Sequence, residues 1–216
     1  MVVSRGQYMH VPGQRRLIVA AAFFAVIYAV PAVADMVDVI AAAFGDFSLL
    51  PPTPSHVFIC HGFGCKYRTE VAFTNADRAK LAQMLGAGHA SATAERRAVA
   101  TAGAWFDRRI APAAGTQHHV ARAGTSYMYD AAQYDCIDTS RNTTSLLLVL
   151  EQLKLLRYHR VAAPESRGYI VDGRPPHATA ILTETKSGVS WSVDSWTRAY
   201  GQAPEIMPLS TWLTLD

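Results

Sequence analysis

Three residues in the second half of the chain have the types and the order of a thiol acyl-transfer site. Cys136 stands in Tyr134-Asp135-Cys136-Ile137-Asp138, just ahead of the apolar run Leu146–Leu156. His177 heads a later strand-like segment, and Asp194 ends the next one. A cysteine becomes a nucleophile as its thiolate, so a catalytic thiol needs a lowered pKa. A helix N-terminus offers unpaired N–H groups and partial positive charge. An imidazole can take the thiol proton, and a carboxylate on its other nitrogen fixes the tautomer. Attack on an amide carbonyl leaves an oxyanion for the Cys136 backbone N–H, with Gln133 or Tyr134 as candidates for a second, side-chain donor.

The other two cysteines have a different use. Cys60 and Cys65 enclose His61-Gly62-Phe63-Gly64, whose glycines let the chain turn back tightly. In an oxidising compartment this pair forms a short-loop disulfide. A metal site on Cys60, His61 and Cys65 would need a second ligand pair that the spacing does not supply. Pairing Cys60 with Cys65 leaves Cys136 as the odd thiol.

The start of the chain points to export. Arg15 and Arg16 precede the apolar run Leu17–Val30, and Pro31-Ala32-Val33-Ala34 closes with an Ala-x-Ala signature. Residues 1–34 read as a signal peptide or as an uncleaved signal anchor. Either predicts an exported protein, periplasmic or anchored to the inner membrane facing the periplasm. The formal charge of +3 belongs to this segment, because Arg5, Arg15 and Arg16 precede the first acid, Asp35. After it, 17 basic side chains balance 17 acidic ones. That balance leaves no electrostatic footprint for nucleic acid, and the membrane enters only through the N-terminal segment. Residues 35–216 suit a single domain with its own core.

The elements that must position the three residues follow from periodicity and punctuation. Residues 35–58 are apolar and broken by Pro51, Pro52 and Pro54, and read as a strap over the surface. A strand beginning at His56–Ile59 enters the Cys60–Cys65 loop and returns as Tyr67–Phe73, a hairpin module over residues 55–75. Thr74 or Asn75 caps a helix over Ala76–Leu85. Ser91 or Thr93 starts another, running to about Arg109, with Val99, Ala102 and Phe106 inward and Glu95, Arg96, Arg108 and Arg109 elsewhere, ended by Pro112 and Gly115. His118-His119 falls in a solvated loop. A third helix begins near Cys136, or at Asn142, and its leucines cover most of its circumference, so it is buried and central. Strands follow at Arg160–Ala162, Tyr169–Val171, His177–Thr183 and Val189–Asp194. Helices first and then an antiparallel sheet make an α+β domain. Trp191, Trp196 and Trp212 read as core or as walls of the site.

If His177 faces Asp194 across a hairpin, the turn centres between Thr185 and Lys186, while the turn-like Lys186-Ser187-Gly188 lies slightly further on. Directly opposed residues share a face, which allows the hydrogen bond the chemistry needs. A register slip is tolerated only when it preserves parity.

Tyr134-Asp135-Cys136-Ile137-Asp138, the leucine-rich helix, Pro176-His177-Ala178-Thr179-Ala180 and Ser192-Val193-Asp194-Ser195-Trp196 together resemble the transglutaminase-like superfamily, nearest to the bacterial transglutaminase-like cysteine proteinases. The tail Tyr200-Gly201-Gln202-Ala203-Pro204 and Trp212 are similar to that group as well. The resemblance covers roughly residues 100–214, within a catalytic core over 92–216. It implies a papain-like core in which the helix headed by the cysteine packs on an antiparallel sheet. It also implies a Cys136–His177–Asp194 triad and a protein or peptide substrate. No cofactor is required, and calcium held by Asp135 and Asp138 is the one implied. The sequence departs from the family pattern at Gln133-Tyr134, at Thr139-Ser140-Arg141-Asn142 and at Leu155-Leu156-Arg157-Tyr158. The leading expectation is an exported thiol-dependent amide hydrolase or acyltransferase, with a cysteine protease favoured by the proteinase-like tail. The alternatives are an inactive binding or scaffold domain of the same fold, and a cell-wall peptide amidase.

Overall fold

The computed structural model describes Met1 and residues 36–45, 49–168 and 175–215. The signal segment and the strand expected at Tyr169–Val171 lie outside the described residues. In chain order the elements are α1 (Met36–Phe44), the β1–β2 hairpin (His56–His61, Tyr67–Ala72), α2 (Asn75–Gly86), α3 (Ala92–Ala114) and α4 (Cys136–Gln152). Four strands follow, β3 (His159–Arg167), β4 (His177–Glu184), β5 (Ser190–Asp194) and β6 (Glu205–Pro208), and then α5 (Leu209–Trp212). The strands of the second group form an antiparallel sheet in the order β3-β4-β5-β6, so the chain is α+β.

α4 is the core element. Every residue from Asn142 to Leu150 is buried, and Leu147, Leu148, Val149 and Leu150 have no solvent exposure. Such a helix is stable only when apolar neighbours surround it. It packs against β4, β3 and β5 on one side and against β1 on the other, with α1 and α3 in contact as well. Its start is set locally. Asp135 is the N-cap, and Asp138 at the third helical position returns the bond, so each side chain accepts the other's backbone N–H.

Several sequence expectations shift in position. The strap contains a helix, α1, whose Val39, Ala43 and Phe44 are buried against the core. α3 runs past Arg109 to Ala114 with Pro112 inside it, and ends at Gly115 in the left-handed conformation (φ +71°). The segment around Arg160–Ala162 is part of a longer strand, β3, with a bulge between Ala162 and Glu165. Glu95 is not on a solvated face of α3. Its side chain is fully buried, accepts the backbone N–H groups of Arg157, Tyr158 and His159, and pairs with His159 Nδ1 at 2.8 Å. Three amides and an imidazole compensate a charge that burial alone would not tolerate, and they pin the start of the sheet to α3.

Truncating Leu150 should report on the central helix. Leu150→Ala should lower the unfolding free energy by about 2–5 kcal/mol, read as a reduced urea midpoint with little change in slope.

Candidate functional site

Cys136 is the first residue of α4 and is partly buried. The first N–H groups of a helix have no partner inside it, so the Cys136 N–H is an available donor beside its own sulfur. The Cys136 Sγ lies 3.9 Å from the Pro176 carbonyl oxygen, and the Ala178 N–H also bears on it. The sulfur therefore touches the backbone on both sides of His177.

The second and third residues come together through the β4–β5 hairpin, but not in the register expected. The pairs run from Thr183 opposite Ser190 to Ala180 opposite Val193, so the turn centres between Lys186 and Ser187. Continuing this register puts Asp194 opposite Thr179, two residues from His177. The slip is by two, parity is kept, and both side chains stay on one face. The turn residues carried this information: Gly188, at φ +71°, closes the loop and donates its N–H to Glu184 O.

His177 Nε2 lies 2.5 Å from Asp194 Oδ2. Asp194 Oδ2 also accepts the indole N–H of Trp212 at 2.9 Å, and its Oδ1 accepts the Trp196 backbone N–H at 3.1 Å. These two partners are obligate donors, an arrangement that suits a carboxylate at Asp194 accepting from Nε2 of His177. Neutral His177 then presents Nδ1 as an acceptor. That Nδ1 is buried and has no hydrogen-bond partner. Trp196 and Trp212 wall the imidazole, with ring centroids 4.8 and 5.3 Å from it.

Placement at a helix N-terminus predicts a depressed thiol pKa, and the structure reverses that expectation. Burial pushes the Cys136 thiol up to about 11, with the Asp135 and Asp194 charges acting in the same direction and the N–H groups of Ala178 and Cys136 acting against them. Desolvation of the thiolate outweighs the amides that face it.

The Cys60–Cys65 disulfide forms, with the two Cα atoms 4.4 Å apart and both residues buried. Within it, Gly62, Phe63, Gly64 and Cys65 all have positive φ, between 58° and 77°. Successive left-handed residues turn their N–H groups toward one side, and that concavity binds anions. Here the anions are the two carboxylates flanking the nucleophile. Phe63 and Cys65 donate to Asp138 at 2.9 and 2.6 Å, and Gly64 donates to Asp135 at 2.8 Å. Asn142, one turn further along α4, pairs with both the N–H and the C=O of Cys60 at 2.8 Å. Gly62 cannot be replaced cheaply, since a Cβ there would stand 2.5 Å from the Tyr67 ring.

This arrangement bears on the implied calcium. Both oxygens of Asp135 and of Asp138 already accept backbone N–H groups, and a hard cation needs oxygen lone pairs that face it together. Among the described residues no group of three His, Cys, Asp or Glu side chains could hold a metal ion. The residues present do not fit calcium. Their charge is met by amides instead.

The proposed oxyanion side chains also have other partners. Gln133 Oε1 accepts the Val120 N–H at 2.9 Å and its amide donates to His118 O, while the Tyr134 hydroxyl bonds Thr116 Oγ1 at 2.7 Å. Both side chains brace the loop before Cys136 through these partners. His118 is exposed as expected. His119 is buried, paired with Asp107 at 3.1 Å and stacked edge-on against Tyr134. Trp212 as a ligand of Asp194 and Asn142 as a ligand of Cys60 were not visible in the sequence. The capping box at Asp135 and Asp138 was likewise not read from the sequence, because Asp-x-x-Asp is not the usual Ser/Thr-x-x-Glu/Gln signature.

No helix among the described residues is long and apolar enough to cross a membrane. Searches against family models, curated proteins and solved structures return no match for this chain.

Burial pushes the Asp138 carboxyl up to about 7, helped by the Asp135 charge and opposed by the amides of Cys65, Asp135 and Phe63. An acid whose folded pKa exceeds its ordinary value binds its proton first in the folded state. Its contribution to stability is complete below pH 3.8 and is lost as pH rises through about 7. The urea midpoint of the wild-type chain should therefore fall between about pH 4 and about pH 7, and Asp138→Asn should flatten that slope. The variant should also be less stable by about 1–3 kcal/mol, because its NH2 group faces amide donors.

Proposed function

We propose that the protein is an exported thiol-dependent amide hydrolase or acyltransferase, most simply a cysteine protease, with Cys136 as nucleophile, His177 as base and acid, and Asp194 as orienter. The observation that carries this reading is the division of labour on His177. Its Nε2 is held by Asp194 at 2.5 Å, while its Nδ1 is buried without a partner in a strand whose backbone touches the Cys136 sulfur on both sides of the imidazole. A nucleophilic helix terminus set against an antiparallel sheet is also what a papain-like core of the transglutaminase-like kind would present.

The chemistry follows from these groups. Nδ1 takes the thiol proton, and the thiolate attacks an amide carbonyl carbon. The oxyanion meets the Cys136 N–H at the helix terminus, where partial positive charge favours it. The imidazolium returns its proton to the departing amine, leaving a thioester on Cys136. Water activated by Nδ1 completes hydrolysis, and an amine in its place gives transamidation. The proteinase-like tail around Gly201 and Trp212 favours hydrolysis. Disulfide formation at Cys60 and Cys65 is compatible with an oxidising compartment such as the periplasm.

A second reading, an inactive scaffold of the same fold, is favoured by one observation. No hydrogen bond joins the sulfur to Nδ1, and the thiol is pushed up to about 11. Catalytic hydrogen bonds often tighten only when substrate is bound, so the two readings separate by reactivity. Iodoacetamide should label wild-type Cys136 rapidly near neutral pH, and a peptide-library digest should show cleavage that Cys136→Ala abolishes. Absence of both would leave the scaffold.

Removing the base exposes the intrinsic thiol. In His177→Ala, labelling of Cys136 should slow by about a hundredfold near neutral pH and then rise about tenfold per pH unit toward pH 11. Asp194→Asn should retain the fold yet lose about 10²–10⁴ in turnover, because the wrong imidazole tautomer then faces the sulfur.

A further inference from the structure

On the Asp194 side of His177 lies a cleft of about 320 Å³, within the range of small-ligand sites. Its floor is His177, Asp194 and the two tryptophans, and its rim carries Arg122 and Arg167. The carboxylates that line it are already matched. Asp194 is bound by His177 and Trp212, and Glu205 accepts from Arg198 at 2.6 Å. Arg167 lies over the Trp212 ring at 4.6 Å and donates to Leu215 O. Arg122 differs from all of these. Its guanidinium forms no ion pair or hydrogen bond with the described residues, and the residue is exposed.

The backbone of Arg122 is held with care. Its φ is +54°, a left-handed conformation that residues with a Cβ rarely adopt. Its N–H donates to Trp196 O at 2.8 Å, and the next residue, Ala123, is buried. A solvated surface arginine needs neither the unusual backbone nor the anchor. Local strain that the surroundings maintain is found where a side chain must be aimed.

We infer that this cleft receives a carboxylate of the substrate, bound by Arg122 with Arg167 across the rim. The amide attacked by Cys136 then belongs to a peptide that also bears an acidic side chain or a free C-terminal carboxylate, since His177 borders both the sulfur's backbone neighbours and the cleft. The arginine fork matches a carboxylate in two parallel bonds, and the tryptophan walls lower the dielectric around it. This inference rests on the thiol reading above.

The test uses the full chain carrying Cys136→Ala, so that binding is read without turnover. Three alanine-based hexapeptides serve as probes: one with a central glutamate and an amidated end, one neutral with a free C-terminal carboxylate, and one neutral and amidated. Binding is followed by tryptophan fluorescence, since Trp196 and Trp212 line the cleft. At least one carboxylate peptide should bind about tenfold or more tightly than the neutral amide, and which one does so identifies the source of the carboxylate. The preference should weaken with salt, disappear in Arg122→Gln and survive in part in Arg122→Lys. Circular dichroism confirms that both variants fold. Equal affinities, no measurable binding of any peptide, or a preference that persists in Arg122→Gln would overturn the inference. Iodoacetamide labelling of the wild-type thiol fails or succeeds independently, so a failed thiol reading is distinguishable from a failed carboxylate site.

Discussion

The structure depends on how the acidic start of a buried helix is neutralised. α4 places Asp138 with no solvent exposure and Asp135 beside it. Two adjacent carboxylates in such a place repel each other and lose their hydration. The left-handed Gly62–Cys65 turn supplies three amide donors, and the disulfide ties both ends of that turn. Asn142 extends the clamp by holding both backbone groups of Cys60. Hairpin and helix therefore act as one unit, and the position of Cys136 is inherited from it. The disulfide loop is part of the foundation of the Cys136 helix start rather than an appendage.

The same burial governs the thiol. A helix terminus is usually taken to favour a thiolate, but here the sulfur is partly withdrawn from water and sees two carboxylates. In the proposed reading, proton transfer to His177 would be the route to a nucleophile. His177 is held in place because Asp194 is itself fixed by three partners, one of which comes from the short C-terminal helix through Trp212. Elements from the middle and the end of the chain thus converge on one imidazole.

Much of this was legible in the sequence for local reasons. Apolar periodicity reveals the buried α4, glycines and a cysteine pair reveal the hairpin loop, and strand parity keeps His177 and Asp194 on one face despite a two-residue slip. The errors also have local causes. The proline-broken strap hid α1 because its helical stretch precedes the prolines. The burial of Glu95 was not foreseen because a charged side chain on a helix gives no sign of the distant amides that meet it. Gln133 and Tyr134 were assigned to the oxyanion by proximity in sequence, whereas their side chains reach back to Val120, His118 and Thr116.

The sequence by itself determined the order Cys136, His177, Asp194, the buried leucine-rich helix that follows Cys136, and the cysteine pairing that leaves it unpaired. Each of these is a property of spacing, because helix capping, strand alternation and short-loop closure act over a few residues. Only the tertiary structure decided that backbone amides face Asp135 and Asp138, that burial raises the thiol, and that Trp212 steadies Asp194. Those outcomes depend on which polar groups meet once water is excluded, and the partners come from segments far apart in the chain.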